Sequence, residues 1–236
     1  MTSSSNDILK PRASRPRDAA SLVIYRRAQG QYEVLMGKRG RRARFKPGVY
    51  VFPGGALDRS DYLATPAQGL STELVQLLAV SGSKGKANAL AMAAIRECYE
   101  ECGLLFGEPG NLGTVPHPSW EAFRKEGLVP NLRDLEFLGR AITPTYHAVR
   151  YHARFFAIPF ERMRGSIVGN GELEDLRWVC ADGLGDIEST IIQESIVTTL
   201  LRRLQGNDAP AQRLFYAWGR HNFVDLREKS YIGDQE

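Results

Sequence analysis

The sequence is short of the features that mark many functional classes. Its 236 residues hold three cysteines, Cys98, Cys102 and Cys180. Three are too few for a disulfide framework and stand at no zinc-site spacing, which points to a reducing compartment. No uncharged apolar run approaches the roughly 20 residues of a membrane helix, so no membrane span is expected. The four histidines also stand apart. His117, between two prolines, reads as a loop residue, and His147, His152 and His221 as structural or exposed. No apolar targeting core follows the first methionine, and the final Ile232-Gly-Asp-Gln-Glu236 is no organelle address, so the cytoplasm is expected. A chain that is 43% hydrophobic and 25% charged is neither mainly disordered nor collagen-like, and its length suits one large domain.

Charge is present but uneven. Lysine and arginine number 31 against 27 acidic residues, a formal net charge of +4 that does not argue for nucleic acid. Residues 1–18 read as a disordered tail with Lys10, Arg12, Arg15 and Arg17 against Asp7 and Asp18, and residues 19–236 as a single domain. The segment Lys38-Arg-Gly-Arg-Arg-Ala-Arg-Phe-Lys46 holds six positive charges and no negative one. A solvated loop would look like this, and so would a surface for phosphates.

The pattern along the chain predicts strands over Ser21–Tyr25 and Tyr32–Gly37, with a turn at Gln29-Gly30-Gln31. A third strand, Val49–Phe52, is stopped by Pro53-Gly54-Gly55. Residues 59–86 read as an insertion with a short helix near Glu73–Val80. The clearest helix is Ala87–Cys102, where Ala91, Ala94, Ile95, Cys98 and Cys102 share one apolar face and Gly103 ends it. Trp120 and Phe123 suggest a small helix. Strands follow over Phe137–Ile142, Tyr151–Ile158 and Leu176–Val179. The closing helix, Glu188–Leu204, carries Ile191, Ile192, Ile196, Leu200, Leu201 and Leu204 as its buried stripe. Strands alternating with a few helices make a mixed α/β layered fold. Tyr216, Trp218 and Phe223 pack on the core or on a partner subunit, which leaves a homodimer open.

The main helix ends in Arg96-Glu97-Cys98-Tyr99-Glu100-Glu101-Cys102-Gly103-Leu104. Glu97, Glu100 and Glu101 lie at i, i+3 and i+4, on one face and near the negative end of the helix dipole. Like charges so spaced repel by a few tenths of a kcal/mol per pair. One outcome is a solvated acidic face with Arg96 paired to Glu100. The other is a divalent cation, and oxygen-only donors select Mg²⁺ or Mn²⁺.

The Phe52-Pro-Gly-Gly55 turn with this helix resembles the Nudix hydrolase family, whose box is G-x5-E-x7-REUxEExGU with U apolar. Arg96 to Leu104 match the second half in full. The first half is Gly55 followed by Asp61, an Asp where the family has Glu, and 34 residues separate Asp61 from Arg96 in place of seven. A box split in this way resembles the branch that includes peroxisomal coenzyme A diphosphatases of animals and their bacterial relatives. Those enzymes carry an upstream element, LLTxR-S/A-x3-R-x3-G-x3-FPGG. The intervals from Leu35 through Arg39, Arg44 and Gly48 to Phe52 match it, with Met36, Gly37 and Gly40 as departures.

The resemblance implies a Nudix-type α/β/α sandwich with a mixed sheet and an insertion inside the box. It implies a metal-dependent diphosphatase acting on a nucleoside diphosphate linked to another moiety. Coenzyme A or an acyl derivative is the preferred substrate, ahead of ADP-ribose, a dinucleotide or a nucleotide sugar. A non-catalytic nucleotide-binding module is the competing class. Glu97, Glu100 and Glu101 would be metal ligands with the Gly55 carbonyl, and Arg96 would orient them. Glu97 or a downstream residue, Glu172 in preference to Glu174, would be the general base. Arg39, Arg44, Lys46 and Phe52 would meet the nucleotide and its phosphates. A small-molecule nucleotide is the expected partner, and nucleic acid is not.

Overall fold

The computed structural model describes residues 14–41, 46–217 and 220–226. Two long strands come first, β1 (Arg17–Ala28) and β2 (Gln31–Arg39), joined by a turn in which Gln29 and Gly30 both take positive φ. Arg17 and Asp18, expected in a disordered tail, instead pair with Tyr151 and His152, and residues 1–13 of that expected tail lie outside the described residues. Two short strands follow, β3 (Tyr50–Val51) beside β2 and β4 (Gly54–Ala56) beside β1. The insertion folds as helices α1 (Arg59–Leu63) and α2 (Thr72–Leu77). Asp58 caps α1 in a capping box with Asp61, and Ser71 caps α2 by accepting from the Leu74 amide.

The long helix α3 runs Lys84–Cys102, three residues earlier than its apolar spacing indicates, because Ser83 caps it. Gly103 ends it with φ 71°, its amide donating to the Tyr99 carbonyl. Beyond lie β5 (Leu105–Phe106), β6 (Glu108–Pro109), α4 (Pro118–Lys125) and β7 (Leu128–Val129). His117 is the N-cap of α4, its Nδ1 accepting from the Ser119 amide. Next come β8 (Glu136–Ile142), β9 (Tyr151–Pro159), β10 (Met163–Arg164) and β11 (Leu173–Cys180). The closing helix α5 (Ile191–Leu204) begins three residues later than expected, since Thr190 before it is the extended N-cap, and Ile191 in its first turn is exposed. A hairpin, β12 (Ala211–Ala217) and β13 (Arg220–Leu226), completes the chain.

The main sheet runs β11-β2-β1-β9-β8-β12-β13, with β3 and β4 attached at its side. It is mixed: β1 is parallel to β9 and β12 to β8, while the other pairs are antiparallel. Alternation of side chains gives the sheet two apolar faces. Leu22, Ile24 and Phe156 pack against Ala91, Ala94, Ile95 and Cys98 of α3. Val23, Phe155 and Ala157 pack against Ile196, Val197 and Leu200 of α5. The result is the α/β/α sandwich.

Candidate active site

The site is built where α3 passes β4. Arg96 is buried, and its guanidinium is saturated by its neighbours. Nε and Nη2 donate to Oδ1 and Oδ2 of Asp61 at 2.8 and 3.1 Å, and Nη2 also donates to the Ala56 carbonyl at 3.0 Å. Nη1 reaches Glu97 Oε1 at 2.9 Å and Glu100 Oε1 at 3.1 Å. Desolvation opposes the charge of Arg96, but the Asp61 hydrogen bonds and the fields of Glu97, Asp61 and Glu100 hold it firmly protonated. Asp61, only 1% exposed, thus ties the inserted helix α1 to the acidic end of α3.

The three glutamates separate in space. Glu101 is 2% exposed, and its Oε2 accepts from the Gly54 amide at 2.7 Å. Burial lifts its pKa to about 8, with Glu97 and Glu172 adding to the rise. Glu97 is lifted to about 7, again chiefly by burial, while Arg96 opposes and Glu100 and Glu172 reinforce. Glu100 turns to α4, where it accepts from Ser119 Oγ at 2.6 Å and lies 3.9 Å from His117 Nδ1. Gly55 lies hard against Glu97: a Cβ there would sit 2.4 Å from the carboxyl carbon. Only glycine leaves room for that carboxylate.

A cavity of about 400 Å³ opens beside these residues. It gathers Arg39, Lys46, Phe52 and Gly55 from one stretch of sequence with the distant Glu97 and Glu172. Arg39 Nε is buried without a hydrogen-bond partner among the described residues, a donor with a reason to meet an anion. Lys46 takes a left-handed φ of 45°, and burial lowers its pKa. Arg44 lies outside the described residues. Glu174 pairs in register with Lys38 on β2 and does not line the cavity. His147 and His221, read from sequence as structural or exposed, both line it, as do Tyr151 and Phe155. The period-2 alternation of β9 carried the signal for these last two; nothing in the spacing of the histidines did.

The donor set suits a hard divalent cation. Glu101 is buried and Glu97 half-buried, both pKa values are raised chiefly by burial, and Glu172 adds its negative field. Among the described residues no three acidic, cysteine or histidine side chains already form a metal-holding group. A third oxygen donor would have to turn inward.

No family model matches the chain. A solved Nudix hydrolase of Alicyclobacillus acidocaldarius superposes with a TM-score of 0.61 at 26% identity, over 79% of this chain and 91% of that one. An acyl-coenzyme A diphosphatase of Gallus gallus is 30% identical over 158 residues, which is 52% of this chain and 40% of that protein. In sequence and in fold the chain is similar to Nudix hydrolases. A Caenorhabditis elegans protein named as a nudix hydrolase is 24% identical over 175 residues, 69% of this chain and 51% of that protein. The chain spans about half the length of the curated relatives it matches. Its Nudix box, broken in sequence between Asp61 and Arg96, is closed in space by their bidentate ion pair.

Proposed function

We propose that the protein is a divalent-metal diphosphatase, hydrolysing the diphosphate of a nucleoside diphosphate joined to another moiety, with coenzyme A or acyl-coenzyme A as preferred substrate. The observation that carries this is one cavity lined by both carboxylates and basic side chains. Glu97 and Glu172 line it with Arg39 and Lys46, and Glu101 is buried close by, accepting from the Gly54 amide. A diphosphate is the ligand that satisfies both sides, its oxygens turned to the cations and to a carboxylate-held metal.

Glu97, Glu101 and the Gly55 carbonyl, with Glu100 turned from Arg96, would hold Mg²⁺ or Mn²⁺. Such an ion supplies charge neutralisation at the diphosphate and a water of lowered pKa. Arg39 and Lys46 would orient the non-bridging oxygens, and Phe52 would pack on the nucleotide or its appendage. The proton of the attacking water would go to Glu172 or Glu97, both of which face the cavity. Arg96 orients the glutamates without touching substrate. The preference for coenzyme A rests on the Leu35–Gly55 element and on the Gallus gallus relative.

The test is a substrate panel with Mg²⁺ and Mn²⁺: coenzyme A, acyl-coenzyme A, dinucleotides, ADP-ribose and nucleotide sugars. Release of 3′,5′-ADP and 4′-phosphopantetheine from coenzyme A at the highest kcat/KM is the expected result. Preference for another nucleotide overturns the substrate, and binding without turnover of any member overturns the enzyme.

A further inference from the structure

On the opposite face of the sheet from the cavity, three arginines stand side by side on adjacent strands. Arg154 of β9 is in register with Arg140 of β8, and Arg140 with Arg213 of β12. Their face is set by their neighbours: Phe156 and Ala211, two residues away along β9 and β12, belong to the α3-side core. The cavity instead takes Ala141, Ala153 and Phe155 from the other face.

Cross-strand neighbours of like charge repel, and adjacent strands set them only about 4.8 Å apart. Arg154, 1% exposed, is fully engaged: it donates to Asp18, to the His152 carbonyl and to the Leu78 carbonyl. Asp18 is the carboxylate bound to this row among the described residues, and it is shared with Lys86 at 2.6 Å. The other two arginines are left short. Arg140 Nη1 lies 3.4 Å from His152 Nε2, and Arg213 stacks its guanidinium 4.8 Å from the Phe215 ring centre. The Nε of each is buried with no hydrogen-bond partner among the described residues. Burial, helped by Arg154 and Arg140, pushes the His152 pKa down to about 3, so the ring is neutral and adds an acceptor for Arg140 without adding charge. Both arginines are half-buried, so part of each remains accessible.

We propose that Arg140 and Arg213, backed by Arg154, form a second anion site that takes a phosphate dianion, free or as a small phosphomonoester. Two planar guanidinium groups match tetrahedral phosphate oxygens, and one dianion would offset the charge of the row that Asp18 leaves unbalanced. The site shares no residue with the cavity, so it does not depend on the diphosphatase assignment.

The test is thermal denaturation of the full chain in phosphate or glycerol phosphate against chloride at matched ionic strength, with titration calorimetry to count sites. Phosphate at saturation should raise Tm by about 2–4 °C in the wild type and in Glu101→Gln alike. Arg140→Gln and Arg213→Gln should each lose that rise. If Arg140→Gln does not fold, Arg213→Gln still decides. A rise that persists in both arginine variants, that vanishes in Glu101→Gln, or that never appears overturns the proposal. Glycerol phosphate binding more tightly than inorganic phosphate identifies a monoester as the ligand, and the reverse identifies the free anion.

Discussion

Glu101 is asked to be charged in a place where charge is costly. Its pKa of about 8 exceeds the ordinary 4.5, so between those values the native state holds a proton that the unfolded chain releases. Stability contributed below pH 4.5 is therefore lost as pH rises toward 8 when no metal is bound. Glu101→Gln keeps an oxygen for the Gly54 amide and removes the charge. In chelator at pH 8 it should be more stable than wild type by on the order of 1–3 kcal/mol in denaturant melts, while losing at least about 100-fold in kcat. Lower stability, or retained turnover, would mean the carboxylate is not a charge held for a cation. His152 titrates in the opposite sense. With its native pKa near 3, the unfolded chain binds the proton first, and stability drains away as pH falls from about 6.5 toward 3. His152→Asn should flatten that acid limb, readable as Tm against pH.

The relation of α1 to α3 shows what an element contributes beyond its own residues. Five residues cannot make a stable helix alone, yet α1 is fixed by its Asp58–Asp61 capping box and by the Arg96 fork. Asp61→Ala strands a buried guanidinium and frees Arg96 to pull on Glu97 and Glu100. The expected cost is about 3–5 kcal/mol by urea melt, with kcat falling more than KM changes. A loss under 1 kcal/mol would show that α1 is decorative. Among the elements, α3 is legible in sequence because a regular apolar face every three to four residues and a terminal glycine leave one reading. The β12–β13 hairpin is not, since Arg213, Arg220 and Asp225 interrupt its apolar alternation. The start of α5 is misplaced by three residues: Glu188 to Thr190 are compatible with a helix, but in the structure Thr190 is extended and caps it.

For the molecule as a whole, the cavity takes its sheet residues from one face, while the arginine row stands on the other, the face that α3 covers. Adding Mg²⁺ or Mn²⁺ should raise the Tm of the wild type, and much less so that of Glu101→Gln, because the ion relieves a repulsion that the variant lacks. An equal rise in both proteins would place the ion elsewhere. The amino-acid sequence by itself determined the α/β class, the acidic helix, the Gly55 turn and the basic segment, because helical and strand periodicities and a nine-residue acidic run are local. Only the tertiary structure decided that Asp61 reaches Arg96 across 34 residues, that Glu100 turns to α4, and that His147 and His221 border the cavity. It alone set Arg154, Arg140 and Arg213 in one row, since strand order and register are long-range properties that no local spacing records.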